Sequence, residues 1–115
     1  MESRPPSKSA LLPAEAYPVA SLVTYQDGSV VSRTLYANEA GTVTLFAFAD
    51  GQGLSEHTAP FDALVHILEG QAQITIAGKG ITASAGEMVL MPAHQPHALK
   101  ASTAFKMLLI MIRAR

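Results

Sequence analysis

With no cysteine in the chain there is no disulfide framework, thiolate metal site or thiolate nucleophile, so imidazoles and carboxylates are the first residues to weigh. All four histidines lie in two segments that could make a site, and His57 and His97 are the leading candidates in them. His57 lies in the run Gly-Leu-Ser-Glu-His-Thr-Ala-Pro-Phe-Asp-Ala-Leu-Val-His-Ile-Leu-Glu-Gly over 53–70. His97 lies in Gly-Glu-Met-Val-Leu-Met-Pro-Ala-His-Gln-Pro-His-Ala-Leu-Lys-Ala over 86–101. His57 lies on the approach to an apolar strand, and by alternation His97 and Leu99 are expected to point inward while Ala98 and Lys100 point outward. Two imidazoles can anchor a polar ligand or contribute to a metal site, but catalytic zinc sites, the reference case, use three protein ligands and an open position. A third donor would come from Glu56, Asp62 or His94. Glu56, next to His57, points the other way in extended backbone, and Asp62 faces away from its neighbour Ala63 for the same reason. His94 is at a turn, where alternation lapses, which makes it the best of the three. His66 shares a face with Leu64 and Leu68 and reads as a packed or interface residue. Met88, Met91, Met107 and Met111 are either core or the adaptable wall of an apolar pocket.

The elements that must position these residues are almost all strands. Residues 22–25 and 29–37 flank Asp27-Gly28 and predict a hairpin with a type I′ turn. Residues 42–49 are aromatic and β-rich, with both faces covered. Residues 63–68 are apolar on both faces apart from His66, as in a strand within a sandwich or barrel. In 71–77, Gln71, Gln73 and Thr75 alternate with Ala72, Ile74 and Ile76, giving a wet face and a core face. Gly78-Lys79 suits a type II′ turn back into 81–83. Residues 88–91 form a short strand stopped by Pro92, and 105–112 form a last strand that is central in a sheet or part of a subunit interface. Short strands with glycine turns and no helical pattern indicate an all-β sandwich or barrel.

The two histidine segments resemble the paired motifs of the cupin superfamily. The first family motif runs Gly, five residues, His-x-His, three or four residues, Glu, six residues, Gly; here His57 matches its first histidine and Gly70 closes it. The second runs Gly, five residues, Pro-x-Gly, two residues, His, three residues, Asn; Gly86, Pro92 and His97 match. The resemblance implies a single-domain jelly-roll β-sandwich closing into a small barrel over 17–115, preceded by an N-terminal arm over 1–16, and a homodimer. In metal-bearing members three histidines and the glutamate hold Fe, Mn, Ni, Zn or another divalent ion. Here the remaining motif positions carry Ala59, Ala63, His94 and Ala101, so the implied metal set is reduced to His57 and His97, with His94 the possible third.

Composition narrows the partners. A chain of 115 residues, 49% hydrophobic and 15% charged, is one globular domain. Its net charge of -1, with scattered basic residues, gives no footprint for nucleic acid. The longest apolar run, 107–112, is far short of the roughly 20 residues that span a bilayer, and the proline-rich start lacks a signal-peptide pattern. These features predict a cytoplasmic protein. Three functions remain open: a small-molecule-binding cupin with His57 and His97 as polar anchors; a metal-dependent oxygenase or isomerase using the same pair; and a metal-free, sugar-epimerase-like acid–base enzyme with His57 as base and Asp62 orienting it.

Overall fold

A computed structural model describes residues 7–114. Ten strands follow in order: β1 (Lys8–Ser9), β2 (Val30–Asn38), β3 (Gly41–Phe48), β4 (Gly53–His57), β5 (Phe61–Glu69), β6 (Gln71–Ile76), β7 (Lys79–Ser84), β8 (Met88–Met91), β9 (His97–Lys100) and β10 (Phe105–Arg113). They form two antiparallel sheets, one of six strands in the order β1-β2-β3-β10-β5-β8 and one of four in the order β4-β9-β6-β7. The two sheets pack face to face as an all-β jelly roll, as the alternation in β6 and the two-faced apolar β5 lead one to expect.

The core between the sheets follows from the period of two. In β5, Ala63, Val65 and Ile67 are buried, and in β10 Phe105 and Met107 are fully so. Phe105 stacks on Phe48 with centroids 4.4 Å apart and planes 10° apart, closing one end of the interior. β10 sits between β3 and β5, which accounts for its apolar faces. Its outer face and that of β3 are partly covered by the segment before β2, where Leu11, Val19, Leu22 and Val23 pack against Leu45, Ala47, Leu68 and Leu108.

That covering segment differs from the expected hairpin. Residues 22–25 are not a strand: Val19–Leu22 is a 3-10 helix, and the chain beyond it joins no ladder. The local cause is Ser21, whose backbone N–H and Oγ both donate to the Pro18 carbonyl, at 2.9 and 2.7 Å. The Asp27-Gly28 turn forms, with Ser29 N–H donating to the Gln26 carbonyl at 3.1 Å. Gly28 has φ of 70° but Asp27 is not in the left-handed region, so the turn is not type I′ and does not align the flanks as a two-residue hairpin. The expected Gly78-Lys79 turn is displaced by one residue. Ile76 pairs with Lys79, and the turn residues are Ala77 and Gly78, with φ of 49° and 83° as a type I′ turn requires.

Of the expected N-terminal arm, residues 1–6 lie outside the described residues. Lys8 and Ser9 pair with Ala37 and Tyr36 at the edge of the six-stranded sheet.

Candidate functional site

Four strand ends converge at one mouth of the barrel. β4 ends at His57 and hands over to β5 through 58–60, while β8 ends at Met91 and hands over to β9, which begins at His97, through 92–96. His57 and His97 are direct ladder partners across β4 and β9. A β-bulge brings them to the same side. Leu54 pairs with Leu99 and His57 with His97, so β4 spends one more residue than β9 between the two pairs. Strict alternation from Leu54 would have turned His57 away from the lumen; the extra residue turns it back, and Glu56 is left exposed.

The two rings meet edge to face, with centroids 4.4 Å apart and planes 67° apart. Each Nδ1 is engaged by the carbonyl two residues earlier: His57 with Ser55 at 2.8 Å, and His97 with Gln95 at 3.2 Å. A carbonyl can only accept, so both rings carry the proton on Nδ1 when neutral and leave Nε2 as a lone pair. His57 is exposed at the rim, whereas His97 is only 6% exposed. Burial pushes the His97 pKa below its ordinary value; the bond to Gln95 opposes this, and the neighbouring His57 adds to the depression.

The pair closes one side of a cavity of about 50 Å³. Its other walls are apolar: Leu54, Phe61, Leu99 and Leu109 with Met91, Met107 and Met111. Among the described residues no lysine, arginine or carboxylate lines it. Ala59 and Ala63 also line it, so the two positions at which the family's metal-bearing members carry a histidine and a glutamate are inside the site and occupied by methyl groups. A broader groove of about 450 Å³ lies on the outer face of the four-stranded sheet, beside Gln73, Thr75 and Lys100. It is open and has only one ionisable side chain, so the smaller histidine-lined cavity is the better candidate.

The three expected third donors do not reach the pair. His94 is exposed, with φ of 65°, its N–H donating to the Ala59 carbonyl at 2.9 Å. Asp62 is spent on the corner after β8, where Oδ1 accepts from Ala93 N–H at 3.0 Å; Ser55, not Asp62, orients His57. Among the described residues no three of His, Cys, Asp and Glu cluster as a metal site would require. The residues present therefore do not fit the divalent metal set of the family. His66 is half-buried on the outer face, opposite Met88 and Leu108. Of the four methionines singled out, Met88 lies outside this cavity and is exposed.

The comparisons agree with this architecture. The family model described as Cupin domain matches residues 44–113. The chain belongs to the cupin family. A conserved protein of unknown function from Streptococcus pyogenes is 34% identical, with TM-score 0.85 over 91% of this chain and 92% of that one. A cupin superfamily protein from Desulfitobacterium hafniense is also 34% identical, with TM-score 0.84 over 90% and 94%. A cupin 2 conserved barrel protein from Leptotrichia buccalis is 38% identical, with TM-score 0.82, over 84% of this chain and 47% of that one. No curated protein matches.

One cluster had no signal in the sequence. Lys106, on the outer face of β10, is 8% exposed. Its Nζ donates to the Ala20 carbonyl at 2.7 Å, lies 3.7 Å from Glu69, and sits 5.1 Å from the centre of the Tyr25 ring. Tyr25 donates to Glu69 at 2.7 Å, and its pKa is raised by burial first and by Glu69 second. These contacts tie the segment before β2 to the barrel and lie outside the cavity.

Proposed function

We propose that this cupin binds a small neutral molecule in its lumen, with a hydroxyl or N–H group donating to Nε2 of His57 and His97 and an apolar body against Phe61, Leu109 and the methionines. The observation that carries the reading is the pair of pinned tautomers: each Nδ1 faces a backbone carbonyl, so two acceptors remain for a ligand in an otherwise apolar wall. A carboxylate or phosphate head would meet lone pairs and no cationic side chain, so anions are disfavoured.

Size limits the ligand further. One water needs about 10–15 Å³ of such space, so a cavity of about 50 Å³ takes a group of roughly three to five heavy atoms, with anything larger emerging past the exposed His57. At a ceiling of about 1.5 kcal/mol per heavy atom, a fully enclosed ligand binds no tighter than a few micromolar. Calorimetry with short alcohols, amides and carboxylates tests the reading on tag-free protein. Binding of a neutral donor that is lost in both His57→Ala and His97→Ala supports it. Preference for carboxylates, or binding untouched by either substitution, refutes it. The acid–base reading loses its orienting carboxylate, because Asp62 is bonded to Ala93.

We also propose that the partner of this chain is a second copy. On the outer face of the six-stranded sheet, Leu90, Leu64 and Ile110 form one row across β8, β5 and β10, and Met88, His66 and Leu108 form the next. Met88 and Leu90 are each 55% exposed, at the end that the segment before β2 leaves uncovered. Light scattering should give a dimer mass for the wild type and a monomer for Leu90→Glu. A monomeric wild type at about 100 μM, a concentration at which a standard-sized apolar interface is formed, sinks the idea. A cysteine-free chain of this kind suits a cytoplasmic setting.

A further inference from the structure

We infer that the groove on the outer face of the four-stranded sheet is a second binding site, for a small hydroxylated carboxylate with one negative charge, held by Lys100 together with Gln73, Thr75 and Ser55. It is separate from the lumen and does not rest on the reading given for the lumen.

The ladders bring the four residues to one groove. Gln73 and Thr75 alternate with the buried Ala72 and Ile74 of β6, so they point away from the core. Lys100 of β9 pairs with Gln73, and Ala98 with Thr75. On its other side β9 meets β4, where Lys100 pairs with Gly53 and Ser55 follows two residues on. All four polar side chains line the groove of about 450 Å³, together with Ala98, Gly51 and Gly53. A Cβ at Gly53 would come within 2.5 Å of the Leu99 carbonyl oxygen, so the close approach of β4 to β9 keeps this margin free of a side chain.

The polar groups of the groove are mostly unused donors. Lys100 has no hydrogen-bond or ion-pair partner among the described residues, and the Thr75 and Ser55 hydroxyls make no hydrogen bond there. Gln73 Oε1 accepts from Thr82 Oγ1 at 2.8 Å, which fixes the amide and leaves both Nε2 hydrogens unused. Among the described residues no Asp or Glu lines the groove, and Glu56, next to Ser55, is outside it. One cation without an anion matches a ligand of one negative charge, and a charge-assisted bond to Lys100 favours a carboxylate oxygen. The remaining donors call for further oxygens, because an apolar body would leave them unpaired. The lumen has the opposite chemistry, two lone pairs and no cation, so the two sites take different ligands.

Strand spacing sizes the ligand. Thr75 lies two residues from Gln73, about 7 Å along β6, and Ser55 lies two strands from Thr75, about 10 Å across the sheet. A carboxylate at Lys100 and Gln73 therefore leaves room for a chain of several hydroxyl-bearing carbons running toward Thr75 and Ser55.

The probe is gluconate, titrated into ¹⁵N-labelled, tag-free protein and followed by backbone amide shifts. Saturation is expected with a Kd of about 1 mM, the affinity that the ligand efficiency of larger small molecules gives for gluconate. The shifts should centre on Ser55, Gln73, Thr75 and Lys100. Sorbitol, which lacks the charge, and propionate, which lacks the hydroxyls, should both bind more weakly. Lys100→Met should weaken gluconate by about fivefold, the upper range for an exposed charge pair. Lys79→Met removes the same charge from the β6–β7 hairpin and should bind as wild type does. Thr75→Val should weaken gluconate and leave propionate unchanged. The same spectra show that each variant is folded. No saturable shift at about 20 mM gluconate overturns the inference. So does wild-type affinity in Lys100→Met, sorbitol binding as tightly as gluconate, or shifts confined to the lumen residues Phe61, Leu109 and Met111. The groove and the lumen report through different amides, so failure of either reading is seen separately.

Discussion

Gly70, the closing glycine of the first histidine segment, gives a prediction whose size can be worked from its surroundings. It lies between β5 and β6 with φ of 77°, a conformation that costs an L-residue about 1–2 kcal/mol. A Cβ there would also run into the Ala104 carbonyl oxygen and come within 2.9 Å of Phe105 Cα. Those are backbone atoms next to a fully buried ring that stacks on Phe48, so neither can give way without disturbing the core. Overpacking of this kind costs about 1–3 kcal/mol, so Gly70→Ala should lose about 2–5 kcal/mol in all. Gly78 is the control. Its φ is 83° and nothing lies within 4 Å of a Cβ built on it, so Gly78→Ala should lose only the backbone part, about 1–2 kcal/mol. Urea unfolding followed by circular dichroism measures both. Equal losses within about 0.5 kcal/mol would refute the claim that close approach to Phe105, and not dihedral preference alone, makes glycine necessary at Gly70.

Two further perturbations follow from the buried ionisable groups. Lys106→Ala leaves the Ala20 carbonyl without its donor and should destabilise the protein by about 1–3 kcal/mol, seen as a lower Tm; an unchanged Tm would mean the segment before β2 is held by apolar packing alone. His97 is held neutral by burial in the folded state, whereas the unfolded chain takes up a proton near the ordinary value of 6.5. Its contribution to stability is therefore fully present above that value and is lost as pH falls below it toward the depressed folded pKa. Urea midpoints at pH 7.5 and 5.5 should show this fall, and His97→Gln should reduce it; a wild-type midpoint that rises on acidification would contradict the assignment.

Much of the fold was legible because it rests on a period of two. The alternation of Gln71, Gln73 and Thr75 with Ala72, Ile74 and Ile76 matches the observed faces of β6, and the two apolar faces of β10 match its central place. The histidine pair was singled out by the resemblance to the two cupin motifs, which Gly70, Gly86 and Pro92 match around His57 and His97. What could not be read were departures from the period and long-range contacts. No residue in β4 announces the bulge that turns His57 inward. The strand expected over 22–25 failed because Ser21 bonds back to Pro18, while Val23 finds its burial against β3 and not in a ladder. Asp62 looked available to His57 only because sequence neighbours hide a partner 31 residues away, Ala93.

The most direct test of the central claim is the long-range ¹H–¹⁵N spectrum of histidine-labelled protein at pH 7.5, with and without a short neutral alcohol. Both His57 and His97 should be Nδ1–H tautomers, with ligand-induced shifts at their Nε2 atoms while His66 and His94 stay still. An Nε2–H tautomer at either ring, or Nε2 shifts that no neutral ligand moves, would contradict it.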